Sequence, residues 1–310
     1  MEALGFGAIL WDDVGGETAA GGSVAGERNI GGAVFNVLVH LQKLGHGAYM
    51  LSAIGDDRLG EKTFAEVDRL RIQRDFIATV NAPTCLIKVS FDEQGFPHYS
   101  SPPLVSWDQI KLAEPLLEQL KRTRFDCLVF GTLEQRSEIS RSTLRRLLEG
   151  NRIATVFLDL TLRGDFYSRE LLDYSLRKAN IAKMNDEEAR VVNRLFGFGE
   201  TDPRKLIPLL CREFGNDIVC ITLGSRGALI GDRSTTAYRP AYRVKVVDTV
   251  GSGDAFSAGL LHMLGKGAAL EEACDFANRM GALISSKRSS IPDYSTAELA
   301  ALTEPAPAEP

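Results

Sequence analysis

The stretch Val246–Leu261, VVDTVGSGDAFSAGLL, holds the reading on which the fold turns. An apolar run gives way at Asp248, a Gly-Ser-Gly turn follows at 251–253, and an apolar-faced helix begins, so a strand end feeds a helix start. Glycines at 251 and 253 let the backbone come close to a ligand, and the unpaired N–H groups of a helix start attract anions. A phosphate would sit well there. Asp254 falls in the first helical turn beside that place, where an aspartate serves either as a helix cap or as an acid–base group next to the phosphate. The spacing alone does not choose. The turn is neither the GxGxxG of a dinucleotide fold nor the GxxxxGK[ST] of a P-loop.

Outward from this stretch, apolar runs alternate with amphipathic helical patterns. AYMLSAIG (48–55) precedes a helix over about 60–70, DCLVFG (126–131) one over 137–148, and ATVFLDL (154–160) one over 167–178. DIVCITLG (217–224) then leads into a glycine-punctuated hairpin. Such alternation predicts βαβ units in a mostly parallel sheet with helices on both faces. CLIKVSFDEQGFPHYS (85–100) breaks the rhythm: apolar and polar residues alternate on either side of Asp92–Gly95. It reads as a hairpin outside the main sheet with one exposed face, either a lid or a plain edge hairpin. The acidic, proline-rich TEPAPAEP (303–310) is expected to be a disordered tail, and no internal repeat is found.

At 310 residues, 44% hydrophobic and 25% charged, the chain has globular composition and room for one domain or two. Its net charge of −5 and scattered basic residues argue against nucleic acid as a partner, and the cluster at Arg141–Arg146 has the spacing of a solvated helix face. No run of 18 apolar residues occurs, and the strand-like opening MEALGFGAIL lacks a basic leader, so no membrane association and a cytoplasmic location are expected. Cys85, Cys127, Cys211, Cys220 and Cys274 form no CxxC pair and read as reduced core residues. His40, His46, His98 and His262 lack zinc-site spacing.

Asp248–Asp254, DTVGSGD, resembles the DTxGAGD signature of the PfkB, or ribokinase-like, carbohydrate kinases, with Ser252 in the place of alanine. The resemblance implies that Asp254 is the catalytic base and that Gly251, Ser252 and Gly253 form the anion hole for the transferring phosphoryl group. GGAVFN (31–36), followed by LQKLGHGAYMLSAIGDDRLG, is similar to the family's other signature and implies sugar contacts from Gly32 and Asn36. GAILWD (7–12) resembles the GEILWD of fructokinase-like members, so Asp12 is a candidate for sugar hydroxyls, while Ala8 stands where glutamate is usual. FGTLEQRS (130–137), DLTLRGDFYS (159–168) and KMNDEE (183–188) match in the same register. Arg163 keeps its place in the D-x-N-L-R pattern and suits a sugar oxygen or phosphate charge, whereas Thr161 replaces the asparagine.

Asn185 and Glu188 match the NxxE motif and would act on Mg²⁺ through water; the plainer reading of the pair is a helix cap. Thr222, Gly224 and Gly227 resemble the T-x-G-x-x-G nucleotide turn, and Asn278 lies on the helix that borders adenine in relatives. KRSSIP (287–292) stands where G-A-x-P is usual. The resemblance runs from Ala3 to Pro292. It implies one ribokinase-like, three-layer α/β sandwich over 1–302, with a small β-sheet lid from segments near 12–30 and 84–102. The activity implied is ATP-dependent phosphorylation of a sugar primary hydroxyl, fructose or a related ketohexose, with Mg²⁺; a need for K⁺ is left open. Homodimerisation through the lid is expected, with Trp11, Phe91 and Phe96 as candidate apolar residues. The alternatives are a nucleoside or sugar-acid kinase of the same superfamily, although no aromatic sandwich for a base is evident, and a non-catalytic sugar-binding regulator, against which Asp254, Gly251 and Gly253 argue. GFGAIL supplies only the first half of a GxGxxG, which discounts a dinucleotide-dependent dehydrogenase.

Overall fold

The computed structural model of the protein describes residues 1–14, 27–91, 97–100, 102–150 and 153–306. In chain order these form β1 (Glu2–Phe6), β2 (Leu10–Val14), β3 (Glu27–Gly31), α1 (Ala33–Lys43), β4 (Gly47–Gly55), α2 (Arg58–Arg69), β5 (Ile77–Val80), β6 (Cys85–Phe91) and β7 (Pro97–Ser100). There follow α3 (Glu114–Arg122), β8 (Cys127–Phe130), α4 (Glu138–Gly150), β9 (Thr155–Asp159), α5 (Arg169–Lys178), β10 (Ile181–Asn185), α6 (Asp186–Phe196) and α7 (Pro203–Phe214). The chain closes with β11 (Ile218–Thr222), β12 (Ala228–Gly231), β13 (Thr236–Arg239), α8 (Ser252–Leu264), α9 (Leu270–Ser285) and α10 (Thr296–Ala301).

A 9-stranded sheet runs in the order β13-β12-β11-β10-β9-β8-β1-β4-β5. Every pair from β11 across to β5 is parallel, and the β12 and β13 hairpin adds an antiparallel edge. Strand alternation divides the core between two layers of helices, as a two-sided sheet requires. Leu4, Leu128, Phe130 and Leu158 point to the side packed by Leu144, Leu147, Leu172 and Leu210, from α4, α5 and α7. Ala3, Cys127, Val129 and Phe157 point to the side packed by Val37, Leu38, Leu260 and Ala277, from α1, α8 and α9. All five cysteines are buried and unpaired.

The expected small sheet is present: a 4-stranded sheet in the order β3-β2-β6-β7, with β6 and β7 as an antiparallel hairpin. The turn Asp92–Gly95 and Phe96 lie outside the described residues, as does the side chain of Phe91. Trp11 does not offer an apolar surface for a second copy. It is 8% exposed, and its indole N–H donates to Thr63 Oγ1 on α2 at 2.9 Å. The tail corrects another expectation: the Ala306 N–H donates to Ala241 O, and the Arg243 N–H to Glu304 O, so part of the stretch expected to be disordered is paired. Residues 307–310 lie outside the described ones.

From β1 the chain goes to β4 and β5 on one side, and from β8 to β9, β10 and β11 on the other. The switch point therefore lies between β1 and β8. Ligand sites of open α/β sheets form outside the carboxyl ends of the strands at such a point.

Candidate active site

Two signatures more than two hundred residues apart meet at this end of the sheet. Asp254 sits in the first turn of α8, and Asn36 sits in the first turn of α1, the helix packed beside it. Asn36 Nδ2 donates to Asp254 Oδ2 at 2.7 Å. Burial raises the Asp254 pKa to about 7 and the nearby Asp159 carboxylate pushes the same way; the Asn36 bond, the Lys183 ammonium and the Arg163 guanidinium act against them. A carboxylate poised near neutrality suits proton abstraction from a hydroxyl better than an ordinary cap would.

The glycine turn is shaped by what stands around it. Gly251 caps α8 at φ 79°, and a Cβ there would meet the backbone of Ser290 at 2.5 Å. The Ser252 N–H and hydroxyl both turn back to Thr249 O, at 3.2 and 2.8 Å. Ser252, expected in the anion hole, thus turns its own donors toward Thr249. The amides of Gly253 and Asp254, which a helix start cannot pair internally, are left to face an anion.

Behind the turn lies a charged group that the sequence reading passed over. Lys183 on β10, 6% exposed, pairs with Asp159 Oδ1 at 2.9 Å, and the Ser257 hydroxyl on α8 donates to Asp159 Oδ2 at 2.6 Å. Burial alone would pull the lysine pKa down, but the Asp159, Glu188 and Asp254 carboxylates outweigh it and raise it. Lys183 therefore stays an ammonium. A lone lysine within the apolar strand IAKMN was the available signal, since a charge inside a two-sided parallel sheet must have a partner.

The sugar-side candidates gather in a second group. Gly32 caps α1 at φ 126°, and a Cβ there would overlap Ala8 O. Its carbonyl accepts the Asn36 N–H at 2.8 Å. Asp12 Oδ2 and Asn36 Oδ1 each lie 3.7 Å from where a Cβ on Gly31 would project, and Ser290 Oγ lies 3.8 Å from it. Burial raises the Asp12 pKa to about 6. Arg163 is exposed, donates to Leu162 O at 3.0 Å, and is near enough to bias Asp254.

On the other flank, Asn185 and Glu188 form a reciprocal cap. The Glu188 N–H donates to Asn185 Oδ1 and the Asn185 N–H to Glu188 Oε2, both at 2.8 Å. Glu188 Oε1 accepts the Leu162 N–H at 3.1 Å, and burial raises the glutamate pKa against the pull of Lys183. With both carboxylate oxygens engaged by backbone, the pair fits a metal only through water. Among the described residues no group of three or more His, Cys, Asp or Glu could hold a metal ion directly. Asn185 and Thr222 are register partners on neighbouring strand ends, and Gly224–Arg226 form a short 3-10 turn closed by Leu223 N–H to Gly227 O at 2.8 Å. Asn278 lies close to the same turn, since the Arg239 carbonyl that it binds crowds the place where a Cβ on Gly227 would project. Its amide donates to Arg239 O and Pro240 O, each at 3.1 Å, so it closes the end of β13. Val246, Val247 and Val250, all exposed, lead into the glycine turn and offer an apolar surface that the sequence reading did not single out.

The family model for pfkB carbohydrate kinases matches residues 17–297. The chain belongs to the PfkB family. As a PfkB protein it is an ATP-dependent sugar kinase, and its relatives bear this out. Fructokinase-1 of Oryza sativa subsp. japonica is 29% identical over 316 aligned positions, covering 94% of each chain. The aminoimidazole riboside kinase of Salmonella typhimurium is 28% identical over 276, covering 82% of this chain and 81% of its own. The fructokinase of Xylella fastidiosa with bound ATP superposes with a TM-score of 0.81 at 19% identity, covering 97% of each chain, which places the fold among the ribokinase-like PfkB structures. Among the described residues, no helix of this PfkB chain is long and apolar enough to cross a membrane.

Proposed function

We propose that the protein transfers the γ-phosphoryl group of ATP to the primary hydroxyl of a free ketohexose, fructose first, with Asp254 as general base. The observation that carries the reading is the Asn36 to Asp254 hydrogen bond, which joins the sugar-side signature to the base at 2.7 Å. The sugar would lie against Asp12, Gly32, Asn36 and Arg163, with its reacting hydroxyl at Asp254. The nucleotide would lie along Thr222, Gly224 and Gly227 with its phosphates at Gly251 and Gly253 and its base over the valine surface at 246–250. Asn185 and Glu188 would hold Mg²⁺ through its waters, and the bound ion would supply charge neutralisation at the phosphates. The Gly253 and Asp254 amides and the Lys183 ammonium face the charge that grows on the transferring group.

Closure of the small sheet over the sugar would exclude water and suppress ATP hydrolysis. Its outer strands, β3 and β7, each have one edge without a strand neighbour among the described residues, and a second copy could pair there. A riboside acceptor is the second reading, favoured by the 28% identity to the aminoimidazole riboside kinase.

The experiment is kcat/KM for fructose, tagatose, ribose, 2-keto-3-deoxygluconate and adenosine side by side, by ADP release. Fructose or tagatose should lead; a clear preference for any other acceptor overturns the ketohexose assignment. The same assay with K⁺ exchanged for Na⁺ decides the monovalent cation.

A further inference from the structure

At the switch point one buried carboxylate has no part in the chemistry so far. Glu134, 3% exposed in the 3-10 turn after β8, accepts the Ala8 N–H at Oε1 at 2.8 Å. Its Oε2 is buried without a hydrogen-bond partner. The surroundings are apolar or bare backbone: Val34 crowds Gly7 and approaches Gly131, and a Cβ on either glycine would stand 3.3 Å from a Glu134 oxygen. For packing alone an apolar side chain would serve better, because burying a carboxyl group with an idle oxygen is unfavourable.

The bond that Glu134 does make falls at a decisive peptide. Leu51 O accepts the Gly7 N–H at 3.3 Å, and the Gly7–Ala8 peptide is then held at both ends, its carbonyl by the Ser52 hydroxyl at 2.7 Å and its N–H by Glu134. The carbonyl of Ala8 fills the place where Gly32 lacks a side chain. Gly32 O accepts the Asn36 N–H at 2.8 Å, and Asn36 Nδ2 donates to Asp254 at 2.7 Å. An unbroken line of contacts therefore runs from Glu134 through Ala8, Gly32 and Asn36 to the base.

We infer that Glu134 is a positioning residue that anchors the Gly7–Ala8 peptide, so that the next carbonyl, Ala8 O, stays beneath Gly32 and the sugar-side end of α1 is aimed at the acceptor, without Glu134 touching the substrate. The inference rests on the assignment of Asp12 and Asn36 to the sugar. What the role needs is an acceptor at the reach of a glutamate, since Oε1 accepts whether or not the carboxyl is ionised.

Three variants separate this role from general support. Glu134→Gln keeps the reach and an acceptor oxygen, Glu134→Met keeps the length without a strong acceptor, and Glu134→Asp keeps the carboxyl group but falls short of Ala8. Each is assayed with fructose, or with the best acceptor of the sugar panel, for KM of sugar and of ATP separately. Met and Asp should raise the sugar KM about tenfold, the scale of one lost buried hydrogen bond, with ATP KM within about twofold and Gln within about threefold of wild type. A Gln variant as impaired as Met, or Met and Asp variants that match wild type, overturns the role of Glu134. An increase confined to the ATP KM would instead overturn the sugar-side assignment of α1. Should the Met variant fail to fold, the Asp variant carries the test.

Discussion

Lys183 Nζ stands 3.1 Å from the point where a Cβ on Gly253 would project. Gly253 has no positive φ to explain its identity; the lysine head explains it instead, because any side chain there would press on the ammonium beneath the anion-binding turn. Gly253→Val should therefore displace that charge and obstruct the approach of phosphate. The expected outcome is an ATP KM raised about tenfold or more, with sugar affinity little changed. Steady-state kinetics varying each substrate in turn checks it. Unchanged ATP dependence in a folded variant would remove the anion hole from this turn.

Asp254→Asn preserves shape and an acceptor for Asn36 but cannot take a proton. The rate of phosphoryl transfer should fall about a hundred- to ten-thousand-fold, the usual span of general-base catalysis, while equilibrium binding of sugar stays close to wild type. Turnover above about a tenth of the wild-type rate would make Asp254 a helix cap only.

The pH dependence follows from the same carboxyl. The base works only when ionised, so with a pKa of about 7 the rate should drop through an acid limb near neutrality. For stability the sign runs the other way from a salt-bridged aspartate. The folded pKa lies above the unfolded value near 3.8, so this group favours the fold at low pH, and that contribution is lost as pH rises through about 7. Asp254→Asn should consequently melt about 2 °C or more above wild type at pH 8, with the gap narrowing toward pH 4. An acid limb near pH 4, or a melting gap that widens as pH falls, contradicts this.

Asp12 lies beside Asn36 and Ser290 with its pKa raised to about 6 by burial. A partly buried carboxylate that pairs with hydroxyls rejects acceptors lacking them far more strongly than a change in apolar size does. Asp12→Ala should raise the sugar KM steeply and narrow the differences among sugars, with ATP KM unchanged. A sugar panel that keeps its order of preference in this variant would take Asp12 out of recognition.

Much of the fold and part of the site were legible because certain positions permit few residue types. The βαβ rhythm announces a two-sided sheet, and the DTVGSGD and GGAVFN turns need glycine where a Cβ would meet Ser290 or Ala8. What stayed hidden depends on which partner a residue finds across the fold. Lys183 stands within KMNDEE and Glu134 within FGTLEQRS, but their partners are Asp159 on another strand and the Ala8 N–H near the start of the chain. Asn278 shows the same dependence: the carbonyls that its amide binds, Arg239 O and Pro240 O, belong to the chain beside Gly227, a proximity that no spacing along the sequence announces.

The burial of all five cysteines has an experimental use. With no native thiol at the surface, Arg28→Cys on the exposed face of β3 would provide a single attachment point for an environment-sensitive fluorophore. The optical signal on adding sugar, ATP or both would then report, in real time and in one vessel, the order in which the small sheet responds to its two ligands.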